Sequence, residues 1–113
     1  MANEDPVRQV LHTEREAATS RRSQLLSDLR SVVDGSRDVA TDDEHDPEGA
    51  TIAYERSKLI ALVRQADDQL AMVQRALARV DAGSYGSCER CGRAIGAARL
   101  QARPSTTTCV GCA

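Results

Sequence analysis

From Ile52 to Val80 the apolar residues fall on alternating steps of three and four: Ile52, Leu59, Val63, Ala66, Leu70, Val73, Leu77 and Val80, with Arg56 the one interruption. Side chains three and four apart share one face of an α-helix, so this row is a single stripe held over about four heptads. No strand can present it, because a strand alternates faces every second residue. The stretch is therefore committed to one long helix whose stripe needs a partner. Asp46 is a good N-cap, Pro47 suits the first helical position, and Gly83 suits a C-terminal cap. These signals predict a helix from about 47 to 82, roughly 50 Å long at about 1.5 Å per residue.

The partner is sought first within the chain. Val7, Leu11, Ala18, Leu25, Leu29 and Val32 keep the same period, although Glu14 and Arg21 occupy two intervening positions. Pro6 near the start and Asp34-Gly35 at the end bound a second helix near 7–34. Two arrangements satisfy the stripes: an antiparallel coiled-coil hairpin, or a parallel homodimer through the second helix. The hairpin is the expected one, since each helix has one stripe and the other can cover it. The connecting stretch, near 34–50, holds Asp34, Asp38, Asp42, Asp43, Glu44, Asp46 and Glu48 against Arg37 alone. A solvated turn accounts for such a run. So does an acidic probe at the end of a rod.

All four cysteines lie behind this hairpin, as Cys88-x-x-Cys91 and Cys109-x-x-Cys112. Two residues between thiolates let one tight turn aim both sulfurs at a single ion, and two such turns complete the tetrahedral shell that Zn²⁺ accepts. No histidine is near in sequence, so the expected cofactor is one structural Zn²⁺ in a closed site. Disulfides fit a reducing compartment poorly, and iron–sulfur clusters use other spacings. Between the pairs, "AIGAARLQARP" reads as one or two helical turns stopped by Pro104, with Ile95 and Leu100 packing on the metal site. Arg90, Arg93, Arg99 and Arg103 face one acid there, Glu89. A four-thiolate zinc centre carries about −2 by charge counting, which offsets much of that excess.

The predicted organisation is all-α with a small zinc finger: residues 1–82 as the coiled-coil hairpin and 83–113 as the four-cysteine module. Composition agrees. The chain of 113 residues has two tyrosines, no phenylalanine and no tryptophan, so a thick aromatic core or deep apolar pocket is not expected. A formal net charge of −2 selects neither for nor against nucleic acid. The acidic start lacks the features of a signal peptide, and no apolar run approaches the ~20 residues of a membrane span, so a cytoplasmic location without membrane association is expected. No nucleophile–base pair or open metal site appears, so no enzyme is expected.

The stretch "GSYGSCERCGRAIGAARLQARPSTTTCVGC" resembles the TraR/DksA family of bacterial four-cysteine zinc proteins. Gly-x-Tyr-Gly-x-Cys-x-x-Cys-Gly opens it, "I…RL.ARP" follows, and Cys-x-x-Cys closes it, as in that family. The resemblance implies RNA polymerase as partner, bound directly and without sequence-specific DNA binding. It implies a hairpin lowered into the secondary channel, its acidic tip near the active site. The family's Asp-x-x-Asp-x-Ala tip, counted back from Cys88, falls on His45, Glu48 and Ala50, and a one-residue shift brings in Asp46. In several members basic residues midway along the second helix help bind guanosine tetraphosphate. Here those positions are about Gln65, Asp68 and Met72, none basic, so alarmone binding is not carried over. The other readings are a zinc-ribbon nucleic-acid binder and a structural coiled-coil adaptor.

Overall fold

The computed structural model describes residues 4–39 and 47–113, with side chains over 6–35 and 49–113. Two long helices dominate, α1 over Glu4–Val39 and α2 over Pro47–Asp81. A short helix α3, Ala97–Ala102, and a 3-10 turn at Val110–Cys112 complete the regular structure among the described residues. None of these helices is long and apolar enough to cross a membrane.

α2 follows its sequence signals closely, with Pro47 in first place. Its end is a Schellman motif: the Gly83 N–H reaches the Val80 carbonyl at 3.1 Å and the Ser84 N–H the Arg79 carbonyl at 2.9 Å. Gly83 supplies the left-handed residue this motif needs, at φ 75°. α1 departs from expectation at both ends. It starts at Glu4, which Pro6 tolerates because the first-turn N–H groups have no partner to lose. It also runs through Asp34-Gly35 to Val39. Gly35 keeps an ordinary backbone conformation; in a helix a glycine costs only about 1 kcal/mol relative to alanine, too little to stop an established run. Residues 34–39 and 47–50 are thus helical, and the expected acidic loop reduces to 40–46, outside the described residues.

The chain forms two compact units, Met1–Ala18 with Asp68–Ala113, and Thr19–Asp67. α1 and α2 pair antiparallel within the one chain, as a hairpin. In the first unit Arg8 meets Asp81 at 2.6 Å, while Glu14, further along α1, meets Gln69, further back along α2. The core of this unit is Leu11, Val73, Ala76 and Val80, with Val7, Leu77 and Tyr85 packed against it. Three of the four came from the apolar stripes; Ala76 did not. In the second unit Arg22 pairs with Asp67. Its stripe residues Leu25, Leu29, Val32, Ile52, Leu59 and Val63 are all half-buried, and Ala66 is the one buried residue among those described.

Candidate metal centre

Backbone turns place each cysteine. Leaving the α2 cap, the chain doubles back so that Ser87 and Ala94 form an isolated antiparallel bridge. Inside this hairpin the Cys88 N–H bonds the Arg93 carbonyl at 2.7 Å and the Gly92 N–H the Cys88 carbonyl at 2.9 Å. Gly92 turns the corner at φ 77°, a conformation L side chains rarely adopt. The Arg90 N–H points at the Cys88 sulfur, 3.4 Å away, and so stabilises a thiolate there. The second pair sits on the 3-10 turn, where the Cys112 N–H bonds the Cys109 carbonyl at 3.1 Å.

These turns bring the four Sγ atoms of Cys88, Cys91, Cys109 and Cys112 within 4.8 Å of one another. Cys91 and Cys109 Sγ are 3.7 Å apart. Sulfurs at ~2.3 Å from a tetrahedral zinc are ~3.8 Å from each other, so the cluster has the dimensions of a four-thiolate shell. Its protonation points the same way. Thiols this close resist holding several negative charges among themselves. Backbone N–H groups, chiefly those of Cys109 and Cys91, bring Cys88 down to about 6. Hydrogen bonding to the Cys109, Cys88 and Cys91 sulfurs holds Cys112 protonated, pushed up to about 12. A divalent cation removes that conflict and lets all four ionise. The donor set fits Zn²⁺.

Around the cysteines, the module is held to the coil by polar contacts that periodicity could not reveal. Glu14, which breaks the α1 stripe, accepts hydrogen bonds from Gln69 on α2 and from Ser105 Oγ at 3.1 Å. Ser105, Thr106 and Thr107 are all buried. Thr107 Oγ1 donates to Glu89 at 2.9 Å, and Arg75 of α2 grips the same carboxylate. Those two donors hold the Glu89 carboxyl below its usual range, ahead of the fields of Arg75 and Arg79. Arg79 also caps the Ser84 and Ser87 carbonyls, at 3.2 and 2.7 Å. Arg99 turns inward as well, donating to the Thr108 carbonyl at 3.0 Å and Thr106 Oγ1 at 3.4 Å. Tyr85 packs on the Leu11 core and donates its hydroxyl to the Pro104 carbonyl at 2.8 Å. Burial, then the charge of Glu14, raises its pKa. Ile95 is buried with its N–H on the Gly86 carbonyl at 2.8 Å, and Leu100 covers Gly86.

Of the expected tip residues, His45 and Asp46 lie outside the described residues. Glu48 falls in the first turn of α2, its side chain undescribed, and Ala50 is exposed.

Comparison with known proteins places this architecture. Residues 83–113 match the family described as the prokaryotic dksA/traR C4-type zinc finger. The transcription factor DksA2 of Pseudomonas aeruginosa superposes over 99% of this chain and 81% of its own, with TM-score 0.80 and 26% identity. The RNA polymerase-binding transcription factor DksA of Escherichia coli is 30% identical over 94 residues, 80% of this chain and 60% of that protein. The DksA of Caulobacter vibrioides is 51% identical over 41 residues, 36% of this chain and 29% of that protein. Protein YteA of Bacillus subtilis is 39% identical over 66 residues, 58% of this chain and 28% of that protein. The chain thus spans less than a third of the length of these last two relatives. The zinc-finger segment, the helical hairpin and the fold all agree with the TraR/DksA family.

Proposed function

We propose that the chain is a transcription regulator, not an enzyme, that binds RNA polymerase directly. In this reading the hairpin enters the secondary channel and its acidic end acts near the active site. The observation that carries it is the fit to a DksA-type transcription factor over 99% of the chain, hairpin and cysteine module together. A nucleic-acid-binding zinc ribbon would need neither two helices of 36 and 35 residues nor their antiparallel pairing.

Within this proposal Cys88, Cys91, Cys109 and Cys112 hold one Zn²⁺, whose bonds cross-link a segment too short to build a core of its own. The module of residues 83–113 anchors the base of the hairpin of residues 1–82. Glu14, Arg75 and Glu89 fix the module to the adjoining turns of the two helices. The acting residues of this reading are His45, Asp46, Glu48 and Ala50, with the carboxylates of Asp46 and Glu48 supplying the charge. Carboxylates there alter the field around catalytic magnesium and nearby loops. The partner is protein, with no role for a membrane or a specific DNA sequence, and the site of action is the cytoplasm.

A pull-down with purified core polymerase tests the partner. Zinc-loaded protein should be retained, and chelator-treated protein should lose at least about ten-fold in retention, since the metal holds the anchoring module together. No retention of the zinc-loaded chain would overturn the reading.

A further inference from the structure

The two cysteine turns present a surface that neither the metal site nor the hairpin uses. Six arginines belong to the module or reach it from α2; three are committed inward, Arg75 to Glu89, Arg79 to two carbonyls and Arg99 to Thr108 and Thr106, and Arg103 is exposed at the end of α3, away in sequence from the cysteine turns. Glu89, the one acid of the module, is occupied by Arg75 and Thr107. Arg90 and Arg93 differ. Both are exposed on the first cysteine turn, and among the described residues their side chains make no hydrogen bond or ion pair. The second turn carries Val110, the most exposed large apolar side chain described, at 73%. The turns are neighbours, because Cys91, beside Arg90, has its sulfur 3.7 Å from that of Cys109, beside Val110. The cysteine end thus carries an exposed apolar residue on one turn and two exposed arginines on the neighbouring turn, with its one carboxylate, Glu89, already engaged.

We propose that this end is a docking surface for an acidic protein segment, in which Arg90 and Arg93 take carboxylates around an apolar contact at Val110. Arginine binds carboxylates in pairs of parallel hydrogen bonds, and an apolar centre with a charged rim is the common anatomy of a protein interface. Polynucleotide fits less well. The module exposes no aromatic ring for a base to stack on, since Tyr85 is half-buried and its hydroxyl engaged, and Val110 gains nothing from a phosphate. The surface is distinct from the hairpin's tip and does not depend on polymerase being the partner.

The test uses ¹⁵N-labelled, zinc-loaded full chain titrated with two probes, a synthetic amphipathic peptide of Glu, Asp and Leu, and a random-sequence DNA duplex. The peptide should move the amide signals of residues 90–93 and 109–111. Arg90→Glu/Arg93→Glu should weaken it by at least about ten-fold, and Val110→Ser by a few-fold. Arg56→Glu/Arg64→Glu, an equal charge change on exposed coil positions, should leave affinity within about two-fold if the effect is local rather than from net charge. Zinc content is measured for each variant, and Arg90→Gln/Arg93→Gln replaces the charge reversal if that variant loses metal. Peptide shifts elsewhere, equal weakening by the coil control, or tighter binding of the duplex to the same residues would each overturn the proposal.

Discussion

The two compact units hold the same pair of helices in different states of burial. Where the module joins, Leu11 and Val73 have no exposed surface and Val80 has 2%. In the unit of residues 19–67, stripe residues of the same kind, Leu25, Leu29, Leu59 and Val63, stay half-exposed. Two helices meeting along narrow stripes cover each other only in part; full burial takes a third element. At the module's end Tyr85 is such an element, packed on the core cluster. The lesson is a division of labour: stability concentrates in the unit that holds the cysteines, and the helix pair of residues 19–67 is held by length and pairing.

The largest effect should come from removing a cysteine. Cys109→Ser should abolish zinc binding and collapse the NMR signals of residues 84–113 toward random-coil shifts, while circular dichroism retains most of the helical signal, because the stripes do not need the metal. Wholesale helix loss would mean that the two regions are one cooperative unit.

A matched pair of leucines sharpens the contrast. Leu11→Ala creates a cavity in a closed core and should cost about 3 kcal/mol, whereas half-buried Leu29→Ala should cost about 1 kcal/mol. Thermal or denaturant unfolding gives both values. Equal costs would show that the half-exposed stripe is as tightly packed in solution as the core.

Smaller still are the polar contacts. Glu14→Ala leaves Gln69 and Ser105 without their acceptor in a part-buried place and should cost about 1.5 kcal/mol. Arg22→Ala breaks the pair with Asp67 at 40% and 49% side-chain exposure and should cost under about 0.5 kcal/mol. Comparable values would contradict the idea that the module's polar latch is special.

Glu14 also marks how far the sequence could be read. The helical stripes and the cysteine spacing are local patterns, and they disclosed both helices, the hairpin and the four sulfurs. Glu14 looked like a fault in the stripe; its use depends on Ser105, 91 residues away, and no period connects the two. Ala76 was missed for a related reason. It stands outside the row of threes and fours, and it is buried because the helix pair and Tyr85 close around that end. The end of α1 was misplaced because Asp-Gly is a common stop signal with a small energetic weight, and the helix runs past it. Arg99 was counted as surface charge and turned out to brace the segment before Cys109.

The proposed function assigns binding to the coil and the cysteine module and action to Asp46 and Glu48. Asp46→Ala/Glu48→Ala, measured with purified polymerase for both affinity and open-complex lifetime, separates the two. The account predicts affinity within about two-fold of the unaltered protein, because the proposed function assigns binding to the coil and module, together with loss of the effect on lifetime. A variant that binds normally and still changes the lifetime as the unaltered protein does would contradict it.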